Sequence, residues 1–229
     1  MSVAEAPGLP PLTPRVREIV SAALALLEEH GAEALTMRRL AEQLGIRAPS
    51  LYKHLAGKSE LETAVIAVGF EDLATALEGA AGDETEGTAG TKGVCGAGVT
   101  GERGGRGPGG GLARLGSAYR EFALARPHLY RLMNERPLAR ELLPPGLEDR
   151  AAAPLVAAVG GDPDLARAAW AFAHGMIMLE LNDRFPPGAD LDAAWQAGLR
   201  GFARGQSSEP GHPGATGQGQ ASRRAETSR

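Results

Sequence analysis

Apolar residues recur at helical spacing along most of this chain, and nowhere do they alternate with the period of two that a strand requires. Val16, Ile19, Val20, Ala23 and Leu27 fall at i, i+3, i+4, i+7 and i+11, one stripe of a helix. Thr13 can cap that helix, Pro14 can open it and Gly31 can end it. The next stretch, LTMRRLAEQLGIRAPSLYKHLAGK at residues 35–58, reads as two short helices joined by a turn. Thr36 caps the first, Leu40, Ala41 and Leu44 turn its apolar side inward, and Gly45 supplies the backbone freedom to stop it. Ala48 to Leu55 make about two turns of the second, with Pro49 tolerated in its first turn. Ser59 to about Leu77 forms a fourth helix, with Leu61, Val65, Val68 and Leu73 as core candidates.

The pattern then breaks. Of the 30 residues from Gly82 to Gly111, 13 are glycine, too little apolar surface to offset the entropy of ordering, so disorder is expected there. Residues 1–12, with Pro7, Pro10 and Pro11, read as a flexible arm, and the polar, Gly-rich residues 205–229 as a structureless tail. Between these gaps the helical period resumes. Leu112 to Arg126 carries Leu115, Tyr119, Phe122 and Ala123 on one stripe and stops at Pro127; a short helix, His128 to Met133, follows. Residues 147–160 are helical with a kink or a later start at Pro154, Asp164 to Asp183 is a long helix, and Leu191, Ala194, Trp195, Gly198, Leu199 and Phe202 stripe the last one. The expected fold is all-α, with about nine helices. It divides into a head at 13–58, a connecting helix at 59–81, the insertion at 82–111 and a C-terminal helical domain at 112–204.

Charge changes this picture locally rather than globally. The chain carries a net −4 and a pI near 5.8. Between Thr36 and Lys58, however, Arg38, Arg39, Arg47, Lys53 and Lys58 face a single acid, Glu42, which leaves +4. A charge run is commonly just a solvated face, but this one sits on helix, Gly-bearing turn and short helix. That is the helix-turn-helix arrangement, whose second helix enters the major groove. Cys95, the only cysteine, has no partner for a disulfide or a metal site, and no apolar run approaches the ~20 residues of a membrane span. No signal peptide is recognised, so a reducing cytoplasm is the expected compartment. No cofactor or metal is implied. Nothing resembles a nucleophile–base pair, a metal cluster or a nucleotide-binding loop, which argues against an enzyme.

The run LT-x-RRLAEQLG-x-x-x-PSLY-x-H-x-x-x-K, preceded by EEHGAEAL, resembles the N-terminal domain of TetR-family transcriptional regulators over roughly residues 13–70. Trp170 followed by His174-Gly175 resembles a W-x-x-x-H-G signature of one subgroup of that family's C-terminal domains. The resemblance implies a homodimer that binds double-stranded DNA and a helical domain that binds an effector. The glycine-rich insertion departs from the family, in which a short connection follows the fourth helix. Groove geometry puts Arg47, Ala48, Pro49 and Ser50 nearest the base edges, with Lys53 on the same helix. By resemblance Arg38 also reaches a base, and Tyr52, His54 and Lys58 contact phosphates. Tyr52 packing against the first helix, and His54 as a plain surface residue, are the alternatives.

From Trp170 to Leu181, nine of twelve residues are apolar, so that helix must be buried on nearly every side. One face (Ala168, Phe172, Gly175, Met176, Leu179) can pack in its own domain, and the other (Trp170, His174, Met178, Leu181) can meet something else; spacing does not decide between them. Leu191, Trp195, Gly198, Leu199 and Phe202 are expected at a four-helix dimer interface. Tyr119, Phe122, Met133, Trp170, His174 and Met178 are candidates to line a pocket for a small apolar effector, each alternatively ordinary core, with His174 a hydrogen-bonded core histidine. The expected function is a repressor released by a small molecule from a palindromic operator. The alternative is an effector-independent dimeric regulator or activator whose C-terminal domain only dimerises or binds a protein.

Overall fold

The computed structural model describes residues 13–82 and 110–205, and every regular element among them is helical. The α-helices are α1 (Pro14–His30), α2 (Met37–Gln43), α3 (Ala48–Leu51), α4 (Lys58–Gly82), α5 (Gly110–Ala125), α6 (Pro127–Asn134), α7 (Leu147–Ala158), α8 (Pro163–Leu181) and α9 (Leu191–Gly205). The expected arm, Cys95 and the tail beyond Gly205 lie outside the described residues, as does most of the insertion; its end residues Gly82, Gly110 and Gly111 are helical.

Local chemistry explains the first half. Thr13 Oγ1 accepts from Val16 N at 3.3 Å and Thr36 Oγ1 from Arg39 N at 3.2 Å, so both expected N-caps form. The α2–α3 turn is a Schellman motif: Ile46 N donates to Ala41 O at 3.0 Å and Gly45 N to Glu42 O at 3.1 Å, with Gly45 at φ +64. A β-carbon at Gly45 would meet nothing within 4 Å, so the need for glycine is purely one of backbone conformation. Gly45→Ala is therefore expected to destabilise the protein by about 1 kcal/mol in a denaturant titration, and Gly45→Asn by less.

The second helix of the motif is shorter than the sequence implies. α3 is a single turn, and residues 52–54 continue only as turn, closed by Leu55 N to Leu51 O at 3.0 Å. So short a helix cannot hold itself together. Leu51 and Leu55, both fully buried, fix it to α2 and to the apolar cluster that α2 shares with α1. α4 is longer than expected by a residue at its start and about five at its end. α7 begins at Leu147 and runs through Pro154, losing only the hydrogen bond that a proline nitrogen cannot donate.

One continuous apolar cluster extends from Val16 in α1 to Leu199 in α9, with α4 in contact with α1, α5, α6 and α7. Within it, α8 buries Ala166, Ala169, Ala173, Met176 and Ile177. Of the two faces that spacing left undecided, the one with Ala168 and Leu179 is split, because both of these are exposed while Met176 is buried. The stripe of α9 also turns inward rather than to a partner. Trp195 and Leu199 are buried in their own chain, and Leu199 Cδ1 lies 2.5 Å from where a β-carbon would stand at Gly116. The Phe172 ring occupies the place of a Gly198 side chain. The physical reason is polar as well as apolar. Trp195 Nε1 donates to Glu180 at 2.5 Å, and Glu180 is held by Arg120 at 2.9 Å, whose guanidinium lies over the Trp195 ring and also pairs with Asp192. The expected dimer residues Trp195, Gly198, Leu199 and Phe202 thus close the C-terminal core, with Leu191 half-buried beside them.

Candidate nucleic-acid interface and interior cavity

Arg38 stands at the start of α2, its side chain 88% exposed and its Nε donating to Glu42 at 3.0 Å. Arg39, Arg47, Pro49 and Lys53 are exposed, and Ala48, Ser50 and His54 half-buried. Tyr52 is 53% exposed, so it is not part of the core under α1. In α3 Leu51 is the buried residue, so the exposed side chains around it point away from the core.

Lys58 opens α4 and lies 3.6 Å from Glu62. The first turn of α4 also differs from what its sequence position suggests. Glu60 accepts from Ala56 N at 2.5 Å, so a carboxylate already occupies the site that a helix N-terminus would offer to an anion. Lys58 itself is left as the cation at that corner. Glu62 has a second partner, Arg136 at 2.9 Å, which also reaches Glu33 at 3.4 Å.

Behind this surface α6 joins the head to the rest. Near its start, Leu129 N donates to Glu28 Oε1 of α1 at 2.8 Å. Arg126, just before the helix, pairs with Asp72 of α4. α6 also contributes Tyr130 and Met133 to a cavity of about 720 Å³ that is lined by α4 to α9 and partly open to solvent. Its body is apolar, built from residues such as Phe70, Leu73, Leu115 and Leu155, and Arg136, Arg140, Glu148 and Arg167 stand at its polar side.

Of the expected pocket residues, Tyr119, Met133 and Trp170 line this cavity. Phe122, His174 and Met178 do not. Phe122 is buried with its ring against the Arg126 guanidinium, 5.7 Å from the ring centre, and Met178 is half-buried against the core. His174 lies one step behind the wall, its Nδ1 2.8 Å from the Tyr130 hydroxyl. That hydroxyl is 3.1 Å from the Tyr119 hydroxyl, which in turn accepts from Trp170 Nε1 at 3.0 Å. Sequence spacing could not single out Tyr130, because its helix is short and its histidine partner is 44 residues away. Arg136 and Glu62 escape sequence reasoning for the same reason, being 74 residues apart.

Burial pushes the phenols of Tyr119 and Tyr130 up, so both stay protonated. Burial likewise pushes the His174 imidazole below its ordinary value, with Glu135 opposing, and leaves it neutral. Among the described residues, no group of three or more His, Cys, Asp or Glu side chains could hold a metal, and no helix is long and apolar enough to cross a membrane.

The match to known proteins falls on both halves. Residues 19–65 match the model of bacterial regulatory proteins, tetR family, and residues 112–202 match that of the tetracyclin repressor-like C-terminal domain. The chain belongs to the TetR family. This TetR-family chain is 28% identical over 208 residues to an uncharacterised HTH-type transcriptional regulator of Mycobacterium tuberculosis, across 86% of this chain and 83% of that one. It is similar to a solved protein of unknown function from Rhodococcus sp. RHA1, at 25% identity and TM-score 0.60, covering 82% of this chain and 93% of that one. It is also similar in fold to a TetR variant of Acinetobacter baumannii in complex with minocycline, at 22% identity and TM-score 0.54, covering 83% of this chain and 95% of that one. The protein is a DNA-binding transcriptional regulator and not an enzyme.

Proposed function

We propose that two copies of this regulator repress transcription from a palindromic operator and that a small, largely apolar effector releases them. The observation that carries this reading is the double attachment of α6: Tyr130 and Met133 face the cavity while Leu129 N is bound to Glu28 of the head. A ligand that shifts α6 must therefore shift α1. Glu62 adds a second link, because Arg136 at the cavity and Lys58 at the DNA side compete for one carboxylate. Effector control needs only that the ligand prefer one spacing of the two heads. A largely apolar, partly open cavity of about 720 Å³ favours this reading over an effector-independent regulator, whose C-terminal domain would have no use for it.

On the operator, Arg38, Arg47, Ala48, Pro49 and Ser50 are assigned to base edges, and Tyr52, Lys53, His54 and Lys58 to the sugar-phosphate walls. The units are the head at 13–58, the connecting helix at 59–81 and the C-terminal domain at 112–204. Because the expected stripe of α9 is occupied inside its own chain, we assign the dimer to the opposite faces. Ala168, Ala171, Gly175 and Leu179 form one stripe on α8, and Ala193, Ala197 and Gly201 another on α9, with small residues that allow close helix approach.

Selection of bound sequences from random DNA, repeated with candidate effectors, tests the proposal; without palindromic enrichment it falls. The division of labour is tested separately. Arg38→Ala should cost about 1–3 kcal/mol on the selected site and relax one base pair. Lys58→Ala should weaken all sequences alike and flatten the salt dependence by about 0.9 for each phosphate it no longer engages. Equal weakening of both variants on specific and random DNA would remove the distinction.

A further inference from the structure

Four hydrogen-bond donors share three hydrogen bonds at the cavity wall, so every arrangement leaves one donor over. Trp170 Nε1 can only donate, so the Tyr119 oxygen accepts from it at 3.0 Å. The remaining two hydrogen bonds, Tyr119 to Tyr130 at 3.1 Å and Tyr130 to His174 Nδ1 at 2.8 Å, admit three polarities. In the first, Tyr119 donates to Tyr130 and Tyr130 donates to a neutral imidazole; the donor left over is Nε2–H of His174, a half-buried residue. In the second, Nδ1 donates to Tyr130, Tyr130 donates to Tyr119, and the proton of Tyr119 is left over. In the third, Tyr130 accepts from both neighbours and its own proton is left over. Both phenols are far more buried than His174, so the spare donor costs least on the imidazole and the first polarity prevails. Both phenol protons then point along the line, and Tyr119 and Tyr130, both of which line the cavity, keep only lone pairs for anything bound there.

We propose that this cavity selects ligands that bring a hydrogen-bond donor on an apolar body, with the oxygens of Tyr119 and Tyr130 as the accepting pair. The inference rests on the reading of the cavity as the effector site. It adds the polarity of the ligand, which neither the size of the void nor its apolar walls specify. His174 acts as a positioning residue: it touches no ligand and sets the direction of the protons by accepting the last one.

Three bicyclic probes of similar shape separate the possibilities in calorimetric titrations of the full-length protein. Indole carries only a donor, indan-1-one only an acceptor, and indene neither. Indole is expected to bind several-fold to about ten-fold more tightly than indene, and indan-1-one no better than indene. Tyr130→Phe removes the acceptor of the Tyr119 proton and turns that proton to the cavity, so indan-1-one should overtake indole. A merely structural role for Tyr130 would instead weaken all three probes together. Tyr119→Phe serves as the second variant and should reduce indole to the level of indene. Equal affinities of the three probes, a ketone preference in the natural protein, or an unchanged order in Tyr130→Phe would each overturn the inference while leaving a ligand cavity in place. Failure of all three probes to bind a protein that still binds DNA would count against the cavity as an effector site, and would take this inference down with it.

Discussion

Leu51→Ala is expected to abolish specific DNA binding although Leu51 itself cannot touch DNA. The residue is fully buried, and α3 comprises only Ala48–Leu51. A four-residue helix has no stability of its own, so the positions of Arg47, Pro49 and Ser50 are those that Leu51 and Leu55 impose. Truncating a fully buried leucine costs about 2–5 kcal/mol through forfeited transfer energy and the cavity left behind. Here that cost falls on the element that carries the reading residues. The C-terminal domain should remain folded, because α4 to α9 pack on one another in a cluster whose main contacts do not include α3. The measurement is a binding titration on the selected operator alongside circular dichroism and sedimentation. Retained affinity with reduced stability would show that α3 is held by something other than its leucine anchors.

Ala197→Arg is expected to convert the protein to monomers and, through that, to lose the palindrome. Ala197 is exposed on the bare face of α9, between Ala193 and Gly201. If that face meets its symmetry mate, a guanidinium there becomes an unpaired buried charge, which costs about 3–5 kcal/mol and so shifts the dimer dissociation constant by more than about 100-fold. Trp195→Ala provides the contrast. Trp195 is buried in its own chain and bonded to Glu180, so that change should lower the melting temperature before it touches assembly. Sedimentation equilibrium of the two variants distinguishes the faces. A monomeric but stable Trp195→Ala, with a dimeric Ala197→Arg, would restore the inward stripe as the interface.

Most of the head was legible in the sequence, the length of α3 excepted. Its caps, its stripe and its glycine turn are local: Thr13, Thr36 and Gly45 each act on residues within five positions, and local rules read them correctly. Legibility ended where a residue had two apolar environments to choose from. Helix α8 is apolar nearly all round, and α9 has one stripe that suits a core and a partner equally well. Periodicity specifies that a face is buried; it carries no information on what buries it. The same limit separated Tyr119, Met133 and Trp170, which reach the cavity, from Phe122, His174 and Met178, which are equally apolar in pattern and do not.

By itself, therefore, the sequence determined the all-helical class, the helix-turn-helix with its local +4, and the family, because each depends on short-range spacing and on charge. Tertiary structure alone decided that Trp195 and Leu199 face inward, that Glu62 is shared between Lys58 and Arg136, and that Tyr119, Tyr130 and His174 form one line of hydrogen bonds. Apart from the local Lys58–Glu62 pair, these interactions join residues 11 to 83 positions apart, from Tyr119–Tyr130 to Gly116–Leu199. They exist only because α4 to α9 pack around a common space, and the directional bonds of a few polar groups inside it decide which of several apolar solutions the chain adopts.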